Sequence, residues 1–165
     1  MLKAAFLDRD GVLNINHGHV HTRDQFDWMP GALEAVRNLN HRGYAVIIIT
    51  NQAGIAKGYY TEQQFHDLMA WMIAQIEATG GKITAYYFCP HHPTEGYPPY
   101  VQDCRCRKPR PGMILAAIED HHIDAAHSVF IGDKGSDMEA AAAAGVRGLL
   151  FEGGDLNTFV SEMLN

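Results

Sequence analysis

Long apolar runs are missing from this sequence of 165 residues. No stretch reaches membrane-spanning length, and Asp8 and Asp10 cut the first apolar run, so neither a transmembrane helix nor a signal peptide is expected. Positive charge is also scarce. Thirteen Lys and Arg face 19 Asp and Glu, and the formal net charge of −6 lacks the field that broad nucleic-acid binding requires. Cysteine is scarce and uneven: there are 3, an odd number, all between Cys89 and Cys106. That clustering suits a metal better than a disulfide framework. No internal repeat, low-complexity tract or Pro/Gly/Ser linker divides the chain. With 47% apolar residues, the expectation is one globular domain over residues 1–165, cytoplasmic and monomeric, with no membrane or nucleic-acid partner.

What is present is an alternation of strand and helix patterns. Ala4 to Leu7 is a short continuous apolar run, read as a buried strand. A polar loop, NINHGHVHTRD, follows it. Pro30 and Gly31 open a helix carrying Leu33, Val36 and Leu39, and Gly43 ends it. Tyr44 to Ile49 is a second strand. Thr61 and Gln64 form a capping box ahead of Phe65, Leu68, Met69, Met72, Ile73 and Ile76 at helical spacing. Ile83–Phe88, Ser128–Ile131 and Leu149–Phe151 read as further strands. Helices are expected from Pro111 through Ile118, over Met138–Ala144, and after Asp155. This order predicts an α/β, Rossmann-like three-layer sandwich with a mainly parallel sheet and no stretch long enough for a separate cap domain. In such sheets the ligand site lies beyond the carboxyl ends of the strands.

Polar residues cluster at those ends. Asp8 and Asp10 follow the first strand, Thr50 and Asn51 the second, Arg107 and Lys108 the third, and Asp133, Lys134 and Asp137 the fourth. Asp-Gly by itself reads more readily as a turn, and the strand before it and the clusters later in the chain reverse that reading. If the backbone stays extended past Leu7, Asp8 and Asp10 face the same way and Arg9 faces the other, without a role. Like charges at the mouth of a buried strand need a cation, and carboxylate oxygens suit magnesium. Acids for a divalent cation beside a hydroxyl and cations for an anion are the equipment of phosphoryl transfer on a small phosphorylated metabolite. Asp137 reads either as an N-cap for the alanine-rich helix or as a group ordering Lys134 and the metal's water shell.

The cysteines sit in CPHHP and CRCRKP. Cys89, His91, Cys104 and Cys106 supply three thiolates and one imidazole, a tetrahedral zinc set with no open position, so the zinc is expected to be structural. His92 is adjacent, and neighbouring side chains diverge. Folding this zinc-binding loop would fix Arg107 and Lys108.

In DRDGV, the Thr50 strand end, Lys108 and GDKGSD, the chain resembles the haloacid dehalogenase superfamily of phosphatases. That resemblance implies Asp8 as nucleophile, Asp10 as general acid and then base, and Thr50 and Lys108 as phosphoryl-binding groups. It also implies Asp8, Asp133 and the backbone carbonyl of Asp10 as magnesium ligands. CPHHP…CRCRKPRPGM, NINHGHVH and TNQAGIAKG are similar to the heptose bisphosphate phosphatase branch, whose members remove the 7-phosphate of D-glycero-D-manno-heptose 1,7-bisphosphate on the way to ADP-heptose and lipopolysaccharide. Histidinol-phosphate phosphatases are relatives with a similar zinc loop. The resemblance implies substrate contacts from Asn16, His17, Gly18, His19, Asn51, Gln52, Ala53, Arg107 and Lys134, with Lys57 and Arg107 available to a second anionic group. Two departures bear on substrate rather than reaction: Ala53 stands where that branch usually has Ser, and Asn16–His17 where it has Asp–His. His21 is read as solvated. Polynucleotide 3′-phosphatases share the DxDG and TNQ pattern, but the acidic balance opposes them. A zinc-stabilised binding module would need a failed catalytic position, and none is visible.

Overall fold

The structure, a computed structural model, describes residues 1–164. Five strands, β1 (Lys3–Leu7), β2 (Tyr44–Asn51), β3 (Ala85–Cys89), β4 (Val129–Gly132) and β5 (Arg147–Leu150), form one sheet. Every pairing is parallel, in the order β3-β2-β1-β4-β5. Helices α1 (Ala32–His41), α2 (Glu62–Ala78), α3 (Gly112–His121), α4 (Gly135–Ala143) and α5 (Leu156–Met163) provide the crossovers and the last element. No described helix is long and apolar enough to cross a membrane.

Strand periodicity divides the core in two. Ala5 and Leu7 of β1, with Val46 and Ile48 of β2, pack toward α1, α2 and α5 through Val36, Leu39, Phe65, Met72 and Val160. Ala4, Phe6, Ile47 and Ile49 face the other way, onto Met113, Ile114 and Ala117 of α3 and Ala140 and Ala141 of α4. Central strands buried on both faces are why these segments read as continuous apolar runs. The direction of winding reverses at β1, which places a crevice at the carboxyl ends of β1 and β4.

Two local expectations are corrected here. The chain is not extended beyond β1, because the Arg9 carbonyl accepts N–H groups from Val12, Leu13 and Asn14 at 3.2, 2.8 and 3.2 Å. Arg9 is therefore turned into the protein and has no exposed surface. Gly11 permits the turn: its φ is +91°, and a Cβ there would run into the Asp133 carboxylate. The alanine-rich helix also begins earlier than its apolar pattern suggests, at Gly135. Asp137 is thus three residues past the N-cap, and its carboxylate reaches back to the N–H groups of Asp133 and Lys134 at 3.1 and 3.2 Å. The Thr61–Gln64 capping box and the Asp155 cap of α5 form as the sequence implies.

Candidate active site

Asp8 and Asp133 follow β1 and β4 directly, and Lys108, from the loop before α3 rather than the end of the third strand, and Asp137, from α4, meet them there. The Lys108 ammonium is buried, 3.1 Å from Asp8 Oδ1 and 2.7 Å from Asp137 Oδ1, and it donates to the Ile49 carbonyl at 3.0 Å. Asn51 at the end of β2 clamps the Lys108 backbone from both sides, accepting its N–H at 3.0 Å and donating to its carbonyl at 3.2 Å. A lysine outside any strand is thereby tied to the end of β2.

The charges do not balance. Burial pushes the Asp8 carboxyl up to about 8, with Asp137, Asp10 and Asp133 pushing the same way and Lys108 opposing them. Burial also raises Asp133. Burial works against the Lys108 ammonium, yet Asp8 and Asp137 outweigh it and its pKa is raised. One oxygen from each of Asp8, Asp133 and Asp137 lies within 4.8 Å of the others, and Asp133 Oδ1 is buried without a partner among the described residues. Hard oxygen donors, an orphaned buried carboxylate oxygen and an excess of negative charge fit a small divalent cation such as magnesium. Asp137 already has Lys108 on one oxygen and two backbone N–H groups on the other, which leaves Asp8 and Asp133 as the carboxylates with capacity for it.

Asp10 is held differently. Its Oδ1 accepts from Arg9 Nη2 at 2.9 Å and from Asn14 Nδ2 at 3.0 Å, while Oδ2 accepts from Gln52 Nε2 at 3.1 Å. The same Gln52 amide donates to Thr50 Oγ1 at 2.9 Å, and its carbonyl accepts the Tyr60 hydroxyl. Burial raises the Tyr60 pKa, so that hydroxyl keeps its proton.

A cavity of about 510 Å³ opens above these groups. Of the residues expected to meet substrate, Asn16, Gly18, His19, Asn51, Gln52, Ala53, Arg107 and Lys134 line it, together with Asp8, Asp10, Lys108 and Lys57. His17 does not: it is exposed, with Nε2 2.7 Å from Asp27 Oδ2. Thr50 is fully buried and forms no part of the wall. His21 is half-buried and stacked on Tyr60 at 4.9 Å between ring centroids, which corrects its reading as solvated. Tyr60, His92, Pro109 and Ser136 also line the cavity and were not anticipated as contacts. Ser136 was reachable from its place between Lys134 and Asp137.

Known proteins match this chain in both sequence and fold. The family model described as HAD-hydrolase-like matches residues 105–158. The D-glycero-beta-D-manno-heptose-1,7-bisphosphate 7-phosphatase of Pasteurella multocida is 49% identical over 89% of this chain and 79% of its own length. The protein of the same name from Rhodopseudomonas palustris is 47% identical over 98% of this chain and 89% of its own. The chain belongs to the heptose bisphosphate phosphatase family. Among solved structures, the D,D-heptose 1,7-bisphosphate phosphatase of B. bronchiseptica, complexed with magnesium and phosphate, superposes with a TM-score of 0.82 at 31% identity. That match covers 98% of this chain and 87% of the other.

This phosphatase carries a second donor cluster at the crevice edge. Cys89 and Cys104 sulfurs are 3.4 Å apart, Cys104 and Cys106 sulfurs 3.4 Å, and His91 Nδ1 lies 3.3 Å from Cys106 Sγ and 3.6 Å from Cys89 Sγ. A tetrahedral site with metal–sulfur bonds of about 2.3 Å has edges of roughly 3.8 Å. Four donors already near that spacing fit zinc. Hydrogen bonding from Cys89 lowers the Cys106 thiol and favours the thiolate that a metal ligand needs to be, while the same contact raises Cys89. Arg107, the next residue, donates to the His91 carbonyl at 3.3 Å and thereby connects the cluster to the cavity.

Proposed function

We propose that this phosphatase removes the 7-phosphate of D-glycero-D-manno-heptose 1,7-bisphosphate, uses magnesium, and works through an aspartyl-phosphate on Asp8. The observation that carries the reading is Lys108 buried between Asp8 and Asp137 under a cation-lined cavity, in a chain 49% identical to a phosphatase of that name. An Asp8 oxygen attacks phosphorus as the bond to the sugar oxygen breaks, and Asp10 gives its proton to the departing alkoxide. Asp10 then takes a proton from the water that attacks phosphorus, which releases phosphate and restores the Asp8 carboxylate. Lys108 holds Asp8 in line throughout and offsets charge on the transferring group. Held by Asp8, Asp133 and the Asp10 backbone carbonyl, magnesium would supply further charge neutralisation. Asp137 orients Lys108, and Gln52 ties Thr50 to Asp10. Arg107, Lys57 and Lys134 give the second phosphate a cationic wall, and Asn16 and His19 face the sugar. Zinc on Cys89, His91, Cys104 and Cys106 would be structural, keeping Arg107 in place.

Hydrolysis by the purified protein tests the reading. Asp8→Asn is expected to abolish turnover while the chain stays folded and metal-loaded, and retained turnover would overturn the nucleophile. A higher kcat/KM on histidinol phosphate than on the heptose bisphosphate would overturn the substrate.

A further inference from the structure

Arg9 is the largest wholly buried side chain among the described residues, and the reaction above gives it nothing to do. Its position is costly. Nε and Nη1 are buried without partners, and only the Phe65 ring, with its centroid 6.0 Å from Cζ, faces the guanidinium as a cation–π surface. An apolar side chain of similar volume would fill such a space at lower cost, since buried ion pairs are often no more stabilising than hydrophobic replacements. What Arg9 does have is one nitrogen with two duties. Nη2 donates to Asp10 Oδ1 at 2.9 Å and to the Val20 carbonyl at 2.7 Å.

Both partners matter to the cavity. Val20 ends the loop that presents Asn16, Gly18 and His19 to it. Asp10 Oδ1, already holding Arg9 Nη2 and Asn14 Nδ2, has no room left for proton exchange with a substrate. The other oxygen, Oδ2, has only the Gln52 amide, which it shares with Thr50. Arg9 therefore selects which oxygen of Asp10 works and fixes that carboxylate to the loop under the sugar.

We propose that Arg9 is a positioning residue, which sets the rotamer of Asp10 and couples it to the 14–20 loop so that Oδ2 meets the departing oxygen. The proposal rests on Asp10 being the proton donor, as in the function above. It predicts a dependence on the leaving group. A sugar alkoxide needs a proton as it leaves, whereas a nitrophenolate does not, and kcat/KM reports the steps up to that departure. Proton transfer by the Asp10 base in the second step lies outside kcat/KM.

The experiment compares Arg9→Met, Arg9→Lys and Asp10→Asn with the parent protein on heptose bisphosphate and on dinitrophenyl phosphate. Arg9→Met is expected to lower kcat/KM on the sugar phosphate by about 10- to 100-fold, within the range of general acid catalysis, and by less than about 3-fold on the aryl ester. Arg9→Lys keeps a cation that reaches one of the two acceptors, and it should recover part of the loss. Equal losses on both esters, or no loss on either, would overturn the proposal, because a purely structural role gives no discrimination. Should Arg9→Met fail to fold, the same comparison on Arg9→Lys decides. Asp10→Asn separates the two levels: if it discriminates between the esters and the Arg9 variants do not, Arg9 alone is misread. If Asp10→Asn does not discriminate, the proton-donor assignment falls and the proposal with it.

Discussion

Asp137→Asn isolates a group whose two oxygens have incompatible replacements. Oδ1 lies 2.7 Å from the Lys108 ammonium, and Oδ2 accepts the N–H groups of Asp133 and Lys134, all inside a side chain only 1% exposed. An asparagine offers one acceptor and one donor. With its oxygen toward the backbone, its NH₂ confronts an ammonium; flipped, its NH₂ confronts two N–H groups. Breaking a buried ion pair from one side costs about 3–5 kcal/mol, and hydrogen bonds to charged groups are worth about 1.5–3 kcal/mol. Lys108 keeps Asp8 and the Ile49 carbonyl, and the crevice loses one of its crowded negative charges. The expected net loss is therefore about 2–3 kcal/mol. Equilibrium urea denaturation of the metal-free protein measures it, with turnover on the heptose bisphosphate expected to fall in parallel as Lys108 loses its second anchor. Lys134→Ala, at an exposed neighbouring position, is the control and should stay within about 0.5 kcal/mol of the parent. If Asp137→Asn is as mild as that control, Asp137 is not the anchor of Lys108.

The Asp8 carboxyl, at 3.8 when unperturbed and about 8 in the fold, binds a proton in the folded chain that the unfolded chain has lost. Metal-free stability should therefore fall as pH rises between those values, and added magnesium should raise the melting temperature more near pH 8 than near pH 5. Removing metal from the Cys/His cluster with a strong chelator should expose the segment 90–105 to proteolysis and raise KM more than it lowers kcat, because Arg107 loses its anchor at the His91 carbonyl. Restoration by zinc would complete that test. His19→Ala should raise KM for the heptose bisphosphate several-fold, whereas His17→Ala should change it less than about 2-fold, because its ring is turned to Asp27. Steady-state kinetics on both variants checks this contrast.

Much of the sheet and the strand-end acids was legible because burial on both faces leaves unbroken apolar runs, and a carboxylate directly after such a run is costly to keep there without a cation. The Cys/His spacing was equally readable, since few side-chain sets demand those neighbours. What escaped depended on where the backbone turns. Reading Arg9 as facing away from Asp8 and Asp10 assumed an extended chain, whereas the turn closed on its own carbonyl lets its guanidinium reach Asp10. Asp137 could be read as an N-cap because alanine periodicity carries little information about the first turn of a helix. Tyr60 and His17 illustrate the remaining limit. Each hydrogen-bonds a partner some eight to ten positions away, Gln52 or Asp27, and no local pattern announces such a pairing.

The central position of β1 has a consequence for how the molecule is made. Its first neighbour, β2, follows soon in the chain, but its other neighbour is β4, and the Ala4 N–H bonds to a Ser128 hydroxyl 124 positions away. During synthesis the first strand emerges early and waits with one edge unpaired until the fourth has left the ribosome. Such late, non-local pairing slows folding and leaves an open strand edge as a template for wrong partners. Asp8 and Asp133 meet only when β4 has paired with β1. A chain interrupted before β4 thus carries Asp8 without Asp133 and cannot assemble the acidic pair that would bind a cation.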